Sequence, residues 1–248
     1  MIISEMQRKL ATWAATAPSR RIERLLRLIT QPEWLAEAAR ITLSSKGAQT
    51  PGVDGMNKAK LQAGLSAELQ RLSEELLSGR YQPLPARRVY IPKSNGKLRP
   101  LGIPTIKDRV VQTAVLIVIN PVLDTDLSPR QYGFRSHIDA KMAIRRVYFG
   151  ISKRFAREVV DADLSDYFST IPHGQLMKCL ARRITDGSVL GIIRQWLRAP
   201  VVERTRQGVE IRTTVARNTH RGTAQGGLCS AEHKPPYEQC RIMHSVCL

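Results

Sequence analysis

The sequence predicts a mixed α+β protein, because two apolar periodicities alternate along its 248 residues. Residues 61–76 place a leucine at every third or fourth position, which is the spacing of one helix face. Residues 86–92 instead alternate in a strand-like way, and Ser94-Asn95-Gly96 follows as a hairpin-turn signal. We therefore expect helices and antiparallel strands together, in a chain long enough for one large or two modest domains.

The remaining elements are assigned from the same periodicities and from turn residues between them. In chain order we expect a helix over 1–16, a helix through 22–29, a turn-rich loop at 49–55, the leucine helix ending near Gly79, strands at 86–92 and through Leu98, a helix apolar on all sides at 109–123, a helix over 138–150, a strand from Arg157 to Asp163, helices at 176–184 and 189–197, and two strands around Gln207-Gly208.

The charge predicts a polyanionic partner. The chain has 39 Lys and Arg against 21 Asp and Glu, a formal net charge of +18. Between Arg80 and Arg109 there are eight basic residues and one acid, so the predicted hairpin is the most basic ordered segment. Arg87, Arg88 and Lys97 of this hairpin are candidate RNA-binding residues, because cations that neutralise phosphates release counterions. A solvated basic surface is the ordinary alternative.

The sequence predicts neither a membrane partner nor secretion. No run of about eighteen apolar residues is present, and the first thirty residues lack a continuous apolar region. The spacing of the four cysteines gives no disulfide framework. We therefore expect a cytoplasmic protein.

Asp163 is a candidate metal ligand. It follows the apolar pair Val159 and Val160, and a carboxylate held at the end of a buried strand can bind Mg²⁺ through hard oxygen atoms. Strand alternation puts Asp161 on the same face, and Asp166 is also near, so spacing alone does not separate the three. A turn or helix cap is the more common role for a lone aspartate at such a position.

Two further segments could hold a nucleotide. Lys93 and Arg99 lie on either side of the hairpin turn, where a point charge and a guanidinium fork could clamp a triphosphate. Gly222 to Gly227 form a glycine-rich turn in which Gln225 could contact a sugar or base. A solvated hairpin and a generic flexible loop are the alternatives.

Together and in this order, these segments resemble the reverse transcriptase encoded by bacterial and organellar group II introns, often called an intron maturase. The resemblance runs from about Thr50 to Leu228. It is carried by TPGVDG at 50–55, YIPKSNGKLRPLGIPTIKDRVVQ at 90–112, QYGFR at 131–135, DAKMAIRRV at 139–147, VVDADLSDYFSTIPH at 159–173 and RGTAQGG at 221–227.

The resemblance implies the fingers and part of the palm of a right-hand polymerase. Residues 1–49 would be a helical RNA-binding extension, 50–155 the fingers and 156–227 a partial palm. The implied activity is RNA-directed DNA polymerisation together with intron RNA binding. The implied cofactor is Mg²⁺, and the implied partners are intron RNA, a template-primer and deoxynucleoside triphosphates.

The resemblance also implies roles for individual residues. Asp163 corresponds to the first catalytic, metal-binding aspartate, because an aromatic residue follows it at the fifth position. That aromatic, Phe168, corresponds to the side chain beneath the incoming sugar. Lys93 and Arg99 correspond to the pair that grips the triphosphate, and Gln225 to a glutamine that contacts the nucleotide.

The sequence departs from the family at two places. Ala224 stands where the family usually has proline, which should loosen the loop. Residues 228–248 contain no aspartate, whereas the family continues there with an apolar helix and a Tyr-Ala-Asp-Asp hairpin. We therefore expect a truncated, inactive mobile-element polymerase with a poorly ordered tail.

Three alternatives stay open at this point. One is a non-enzymatic RNA-binding remnant of such a protein, and another is a retron or CRISPR-associated reverse transcriptase. The third concerns the tail alone, where cysteines and histidines could bind zinc, although their spacing matches no common zinc pattern. These tail residues are Cys229, His233, Cys240, His244 and Cys247.

Overall fold

The computed structural model describes residues 3–92, 96–133, 135, 138–154, 157–162, 170–204, 210–212 and 220–222. The mixed helix-and-sheet class predicted from the sequence is confirmed. The helices are α1 (Ile3–Thr16), α2 (Leu26–Ile29), α3 (Pro32–Ser44), α4 (Lys58–Ala63), α5 (Leu65–Leu77), α6 (Ile106–Leu123), α7 (Ala140–Arg154), α8 (His173–Ala181) and α9 (Gly187–Arg198), with short 3₁₀ helices at Lys46–Gln49 and Asp124–Asp126. The strands are β1 (Ala86–Pro92), β2 (Leu98–Ile103), β3 (Val201–Arg204) and β4 (Glu210–Arg212).

The four strands form one sheet in the order β2-β1-β3-β4. Strands β1 and β2 pair antiparallel with Val89 opposite Leu101, and β3 and β4 pair antiparallel as the second predicted hairpin. Strands β1 and β3 pair in parallel, with Ala86 opposite Val201. The β1–β2 hairpin is therefore joined to the rest of the sheet only at the beginning of β1 among the described residues.

Helix α6 is the centre of the core. Fourteen of its 18 residues are buried, and α1 and α3 pack against it, which confirms the prediction of a helix apolar on all sides. It begins at Ile106, slightly earlier than predicted, because the side chain of Thr105 caps its first turn by accepting a hydrogen bond from the Asp108 N–H. The same core cluster includes Leu176 and Ile193 of α8 and α9.

A proline near the end of α6 is compensated by a side chain from α1. Pro121 has no N–H, so the carbonyl of Ile117, four residues earlier, lacks its usual helical donor. The side-chain amide of Gln7 donates to that carbonyl at 3.0 Å. This bond satisfies a backbone acceptor that the proline leaves open, and it fixes α1 on α6.

Residues 183–186 join the N-terminal helices to α8 and α9. The buried guanidinium of Arg183 donates to the carbonyls of Ala14 (2.7 Å) and Pro18 at the end of α1. Its Nε lies 3.0 Å from Oδ2 of Asp126, which is an ion-pair distance although the N–H is not aimed as a hydrogen bond. Asp186 caps α9 through Oδ1, and its Oδ2 accepts from the N–H of Leu26 at 2.9 Å.

Three predicted elements are wrong in whole or in part. Residues 157–162 form no strand, and Val159 and Val160 are 81% and 93% exposed rather than buried. The apolar surface of these two valines is therefore left exposed. Among the described residues no neighbouring strand accepts this segment, and an unpaired strand is not stable. Asp163 and Leu164 lie outside the described residues.

The predicted helix through 22–29 is only the short α2. Ile22 is held in an extended bridge, because its N–H donates to the backbone carbonyl of Arg183 and its carbonyl accepts from the N–H of Thr185. Arg24 then takes a positive φ of 57°, which no helix accommodates. The leucine helix divides into α4 and α5 at Gly64, and the structure adds α3, which was not predicted.

The described part of the chain contains no helix with the length and apolar character needed to cross a bilayer.

Candidate nucleic-acid interface

The β1–β2 hairpin carries four of the predicted site residues. Strand alternation places Arg87 and Arg99 on one face with Ile91, which lies directly opposite Arg99. Arg88 lies on the other face. Lys97 is exposed and immediately precedes β2. The structure thus brings these cations onto one hairpin but divides Arg87 and Arg88 between its two faces.

The free end of the hairpin is apolar and aromatic as well as basic. Tyr90 is 45% exposed, and Ile91 and Leu98 are also exposed. The Tyr90 hydroxyl donates to Oε2 of Glu203 on β3 at 3.2 Å, which orients the ring on its face of the sheet. Cations combined with exposed aromatic and apolar groups are typical of surfaces that bind nucleic-acid strands.

The other predicted nucleotide and metal residues lie outside the described residues: Lys93, Asp163, Phe168 and Gln225. Within the described ranges, no three His, Cys, Asp or Glu side chains come together as metal ligands would. The roles assigned to these four residues therefore stay predictions.

A buried aspartate anchors the chain immediately before the hairpin. Asp108 is 2% exposed, and its Oδ1 accepts from the Tyr81 hydroxyl at 2.7 Å. Its Oδ2 accepts from the Thr105 hydroxyl at 2.6 Å and from the Leu84 N–H at 3.2 Å. Trp196 of α9 donates to the Tyr81 hydroxyl at 3.0 Å. This network connects α6, the segment that leads into β1, and α9.

Burial dominates the electrostatics of this network. It raises the pKa of the Asp108 carboxyl above the usual value, although the hydrogen bonds from Thr105, Tyr81 and the Leu84 N–H act in the opposite direction. Burial also raises the pKa of Tyr81 well above its usual value, with the charge of Asp108 as the next cause. The Tyr81 hydroxyl therefore keeps its proton and remains a donor to the carboxylate at neutral pH.

Arg109 and Gly52 hold the TPGVDG loop against the start of α6. The Arg109 guanidinium donates to the carbonyls of Gly47 at 2.7 Å and Thr50 at 2.8 Å. A Cβ on Gly52 would lie 2.7 Å from the Thr105 Cα, so only glycine allows this close approach. Burial lowers the pKa of Arg109, while the charge of Asp54 raises it.

The sequence analysis missed this anchor, although one signal for it was present. Thr105 and Asp108 have the Thr-x-x-acid spacing of a capping box directly before a long apolar run. The contacts of Tyr81 and Trp196 join residues 115 positions apart. No local pattern could have revealed them.

The start of α8 lies beside residues 220–222. Residues 220–222 pair with 171–173, since the His173 N–H donates to the His220 carbonyl at 2.9 Å and the Gly222 N–H to the Ile171 carbonyl at 2.8 Å. Nε2 of His173 lies 2.6 Å from the Gly222 carbonyl. This pairing places the beginning of the RGTAQGG segment beside α8.

Comparisons with known proteins match the sequence of this chain to one family. The family model described as reverse transcriptase (RNA-dependent DNA polymerase) matches residues 91–232. Protein YkfC of Escherichia coli (strain K12) is 55% identical over 233 residues, which cover 93% of this chain and 59% of that protein. Group II intron-encoded protein LtrA of Lactococcus lactis subsp. cremoris is 30% identical over 215 residues, or 84% of this chain and 32% of that protein. The COX1/OXI3 intron 1 protein of Saccharomyces cerevisiae is 31% identical over 72% of this chain and 21% of that protein. The chain spans less than two thirds of the length of each of these relatives.

Proposed function

The chain belongs to the reverse transcriptase (RNA-dependent DNA polymerase) family, and from this premise we propose that it binds intron RNA and a template-primer through the β1–β2 hairpin. The resemblance to group II intron reverse transcriptases found in the sequence is confirmed. In this proposal residues 1–49 are an RNA-binding extension, 50–155 the fingers and 156–227 part of the palm.

One observation carries the binding proposal. The hairpin has Arg88 and exposed Tyr90 on one face and Arg99 and exposed Ile91 on the other. Exposed Lys97 lies just before β2, and the beginning of β1 is held by β3. The segment that leads into it is fixed by the buried Asp108 network. A basic and aromatic surface on a rigid base can contact phosphates and stacked bases without a large ordering cost.

The nucleotide-binding roles are proposals that rest on the family resemblance. Arg99 would hold the triphosphate together with Lys93, since a guanidinium fork suits phosphate oxygens. Phe168 would lie beneath the sugar, and Gln225 would contact the nucleotide. Reverse transcriptases generally use divalent metal ions, which stabilise the charge that develops during phosphoryl transfer. Asp163 is the residue of this chain that would supply an oxygen ligand.

We do not expect these 248 residues to polymerise DNA on their own. Residues 228–248 contain no aspartate, and one carboxylate from one segment is too few to hold two ions. In a primer-extension assay with Mg²⁺ and deoxynucleotides, the isolated chain should add no nucleotides. Template-dependent incorporation that disappears in Asp163→Ala would show that the chain is itself a polymerase.

Fluorescence anisotropy with a labelled structured RNA tests the binding proposal. For roughly six phosphate contacts, the logarithm of the association constant should fall with the logarithm of salt concentration with a slope of about −5. The hairpin variant Arg88→Gln/Lys97→Gln should reduce the magnitude of this slope by about 2. The control variant Lys60→Gln/Arg71→Gln removes the same charge from α4 and α5 and should leave the slope unchanged. A flat salt dependence of the unmodified chain would exclude RNA as its partner.

A further inference from the structure

We propose that the groove between α8 and α9 binds the sugar-phosphate backbone of a nucleic-acid strand, at a place distinct from the hairpin. The groove has a volume of about 450 Å³. Its described lining residues are His173, Gly174, Met177, Lys178, Ala181, Arg194, Arg198 and His220. The inference rests on the proposed function, because it assumes that the chain binds nucleic acid.

The charge of the groove has one sign. Lys178 comes from α8, Arg194 and Arg198 come from α9, and all three side chains are exposed. Among the described residues that line the groove there is no acid. Cations on two facing walls around a concave surface focus the potential more strongly than the same charges on a flat helix face. If these cations only served to keep a helix surface solvated, there would be no reason for cations of both helices to line the same groove.

The shape of the groove fits a strand. Gly174 and Ala181 lie seven residues apart on one face of α8, a distance of about 10 Å along the helix axis. That length spans about three phosphates of one strand of a duplex. Met177 and Ala181 provide apolar surface between the cations, where the sugars of a strand would pack. The number of phosphates equals the number of Lys and Arg side chains in the groove.

The histidines connect this groove to the predicted nucleotide loop. A carbonyl oxygen can only accept, so Nε2 of His173 carries the proton in its 2.6 Å contact with the Gly222 carbonyl. The contact fixes residues 220–222 against α8, and it places His220 at the groove. A strand in the groove would therefore run beside the first residues of RGTAQGG. The groove is thus positioned to hold the template-primer beside Arg221 and Gly222.

The test compares the salt dependence of binding among the unmodified chain and two variants. The unmodified chain is titrated into a labelled RNA–DNA template-primer duplex at salt concentrations from about 50 to about 200 mM. The groove variant Lys178→Gln/Arg194→Gln/Arg198→Gln should reduce the magnitude of the slope by about 2.7, since it removes three phosphate contacts. The control variant Lys58→Gln/Lys60→Gln/Arg71→Gln removes the same net charge and should retain the unmodified slope.

A second pair of measurements excludes a folding artefact and a free-phosphate site. The variant Arg194→Lys/Arg198→Lys keeps both charges and should retain the slope, whereas loss of slope in it would indicate a purely structural role and overturn the inference. In calorimetric titrations with tripolyphosphate, the unmodified chain and the groove variant should show the same binding. Groove-dependent tripolyphosphate binding with an unchanged duplex slope would assign the groove to a free phosphate compound.

The outcomes separate this inference from the proposed function. If the unmodified chain shows no salt-dependent binding to any RNA, the proposed function fails and the groove inference fails with it. If the hairpin variant lowers the slope and the groove variant behaves like the control, only the groove inference fails.

Discussion

Two substitutions of Asp108 should lower the free energy of unfolding by different amounts. Both amounts can be worked out from the three hydrogen bonds that its carboxylate accepts. In Asp108→Asn, the amide oxygen can replace Oδ2 and accept from Thr105 and Leu84. The amide nitrogen would then face the Tyr81 hydroxyl, which already accepts from Trp196, so the proton of that hydroxyl loses its acceptor. One unsatisfied buried donor costs about 1–3 kcal/mol.

Asp108→Ala removes all three acceptor contacts and should cost more, about 3–5 kcal/mol, as is typical when one partner of a buried charged network is deleted. Asp54→Asn is the matched control, because it removes an exposed aspartate near the same site. The free energy of unfolding of this control should lie within about 0.5 kcal/mol of that of the unmodified chain. Urea unfolding followed by circular dichroism measures all three free energies of unfolding. The comparison holds when the slope of the free energy of unfolding against urea concentration is the same in each chain.

The same series has a defined pH dependence. Burial raises the pKa of Asp108 in the folded state, so its stabilising contribution is complete below the unfolded pKa and decreases as pH rises through the folded pKa. Asparagine does not titrate. The free-energy difference between the unmodified chain and Asp108→Asn should therefore be larger in acid than at neutral pH. An Asp108→Asn variant as stable as the unmodified chain, or a difference that grows with pH, would refute this account of the network.

Three further results are expected in urea unfolding experiments. Gln7→Met should lower the free energy of unfolding by about 1 kcal/mol in the unmodified chain. It should have a much smaller effect in a Pro121→Ala background, because the restored N–H of residue 121 donates to the same Ile117 carbonyl. Equal effects in both backgrounds would contradict the pairing of Gln7 with this carbonyl. Gly52→Ala should destabilise by roughly 1–3 kcal/mol because its Cβ meets backbone, whereas Gly64→Ala, with open space around it, should be neutral or slightly stabilising. Arg183→Met should cost about 3–5 kcal/mol, because it leaves buried carbonyls of the α1 end without donors; a cost under 1 kcal/mol would show that water replaces them.

Local periodicity was sufficient for elements whose environment is uniform. Helix α6 is buried on all sides, so its unbroken apolar run has one interpretation. The β1–β2 hairpin has a strong turn signal, and Gly96 has a φ of 76° as such turns require. The pair of strands β3 and β4 was also predicted correctly around Gln207-Gly208.

The errors occur where a distant contact overrides the local pattern. Ile22 has the spacing of a helix residue, but bonds to residues 183–185 hold it extended. Residues 157–162 have strand-forming valines, but no described strand lies beside them. The charge pattern found the cations of the hairpin, yet it could not show that Arg87 and Arg88 lie on opposite faces, because the pairing register was needed for that.

Residues 90–112, one of the segments that carry the family resemblance, contain two parts with different physical tasks. Its first part is the hairpin that carries Arg88, Lys97 and Arg99 together with the half-exposed ring of Tyr90. Its second part, from Pro104 to Arg109, is largely buried and fixes both the TPGVDG loop and the segment that leads into β1; its partly exposed residues are Lys107, which pairs with Glu75, and Arg109, which donates to backbone carbonyls. Substitutions in the second part should therefore change stability first and RNA binding only as a consequence. Substitutions of Lys97 or Arg88 should weaken RNA binding by more than their small effect on the urea midpoint would explain. The two measurements together separate the residues that stabilise this part of the fold from those proposed to contact nucleic acid.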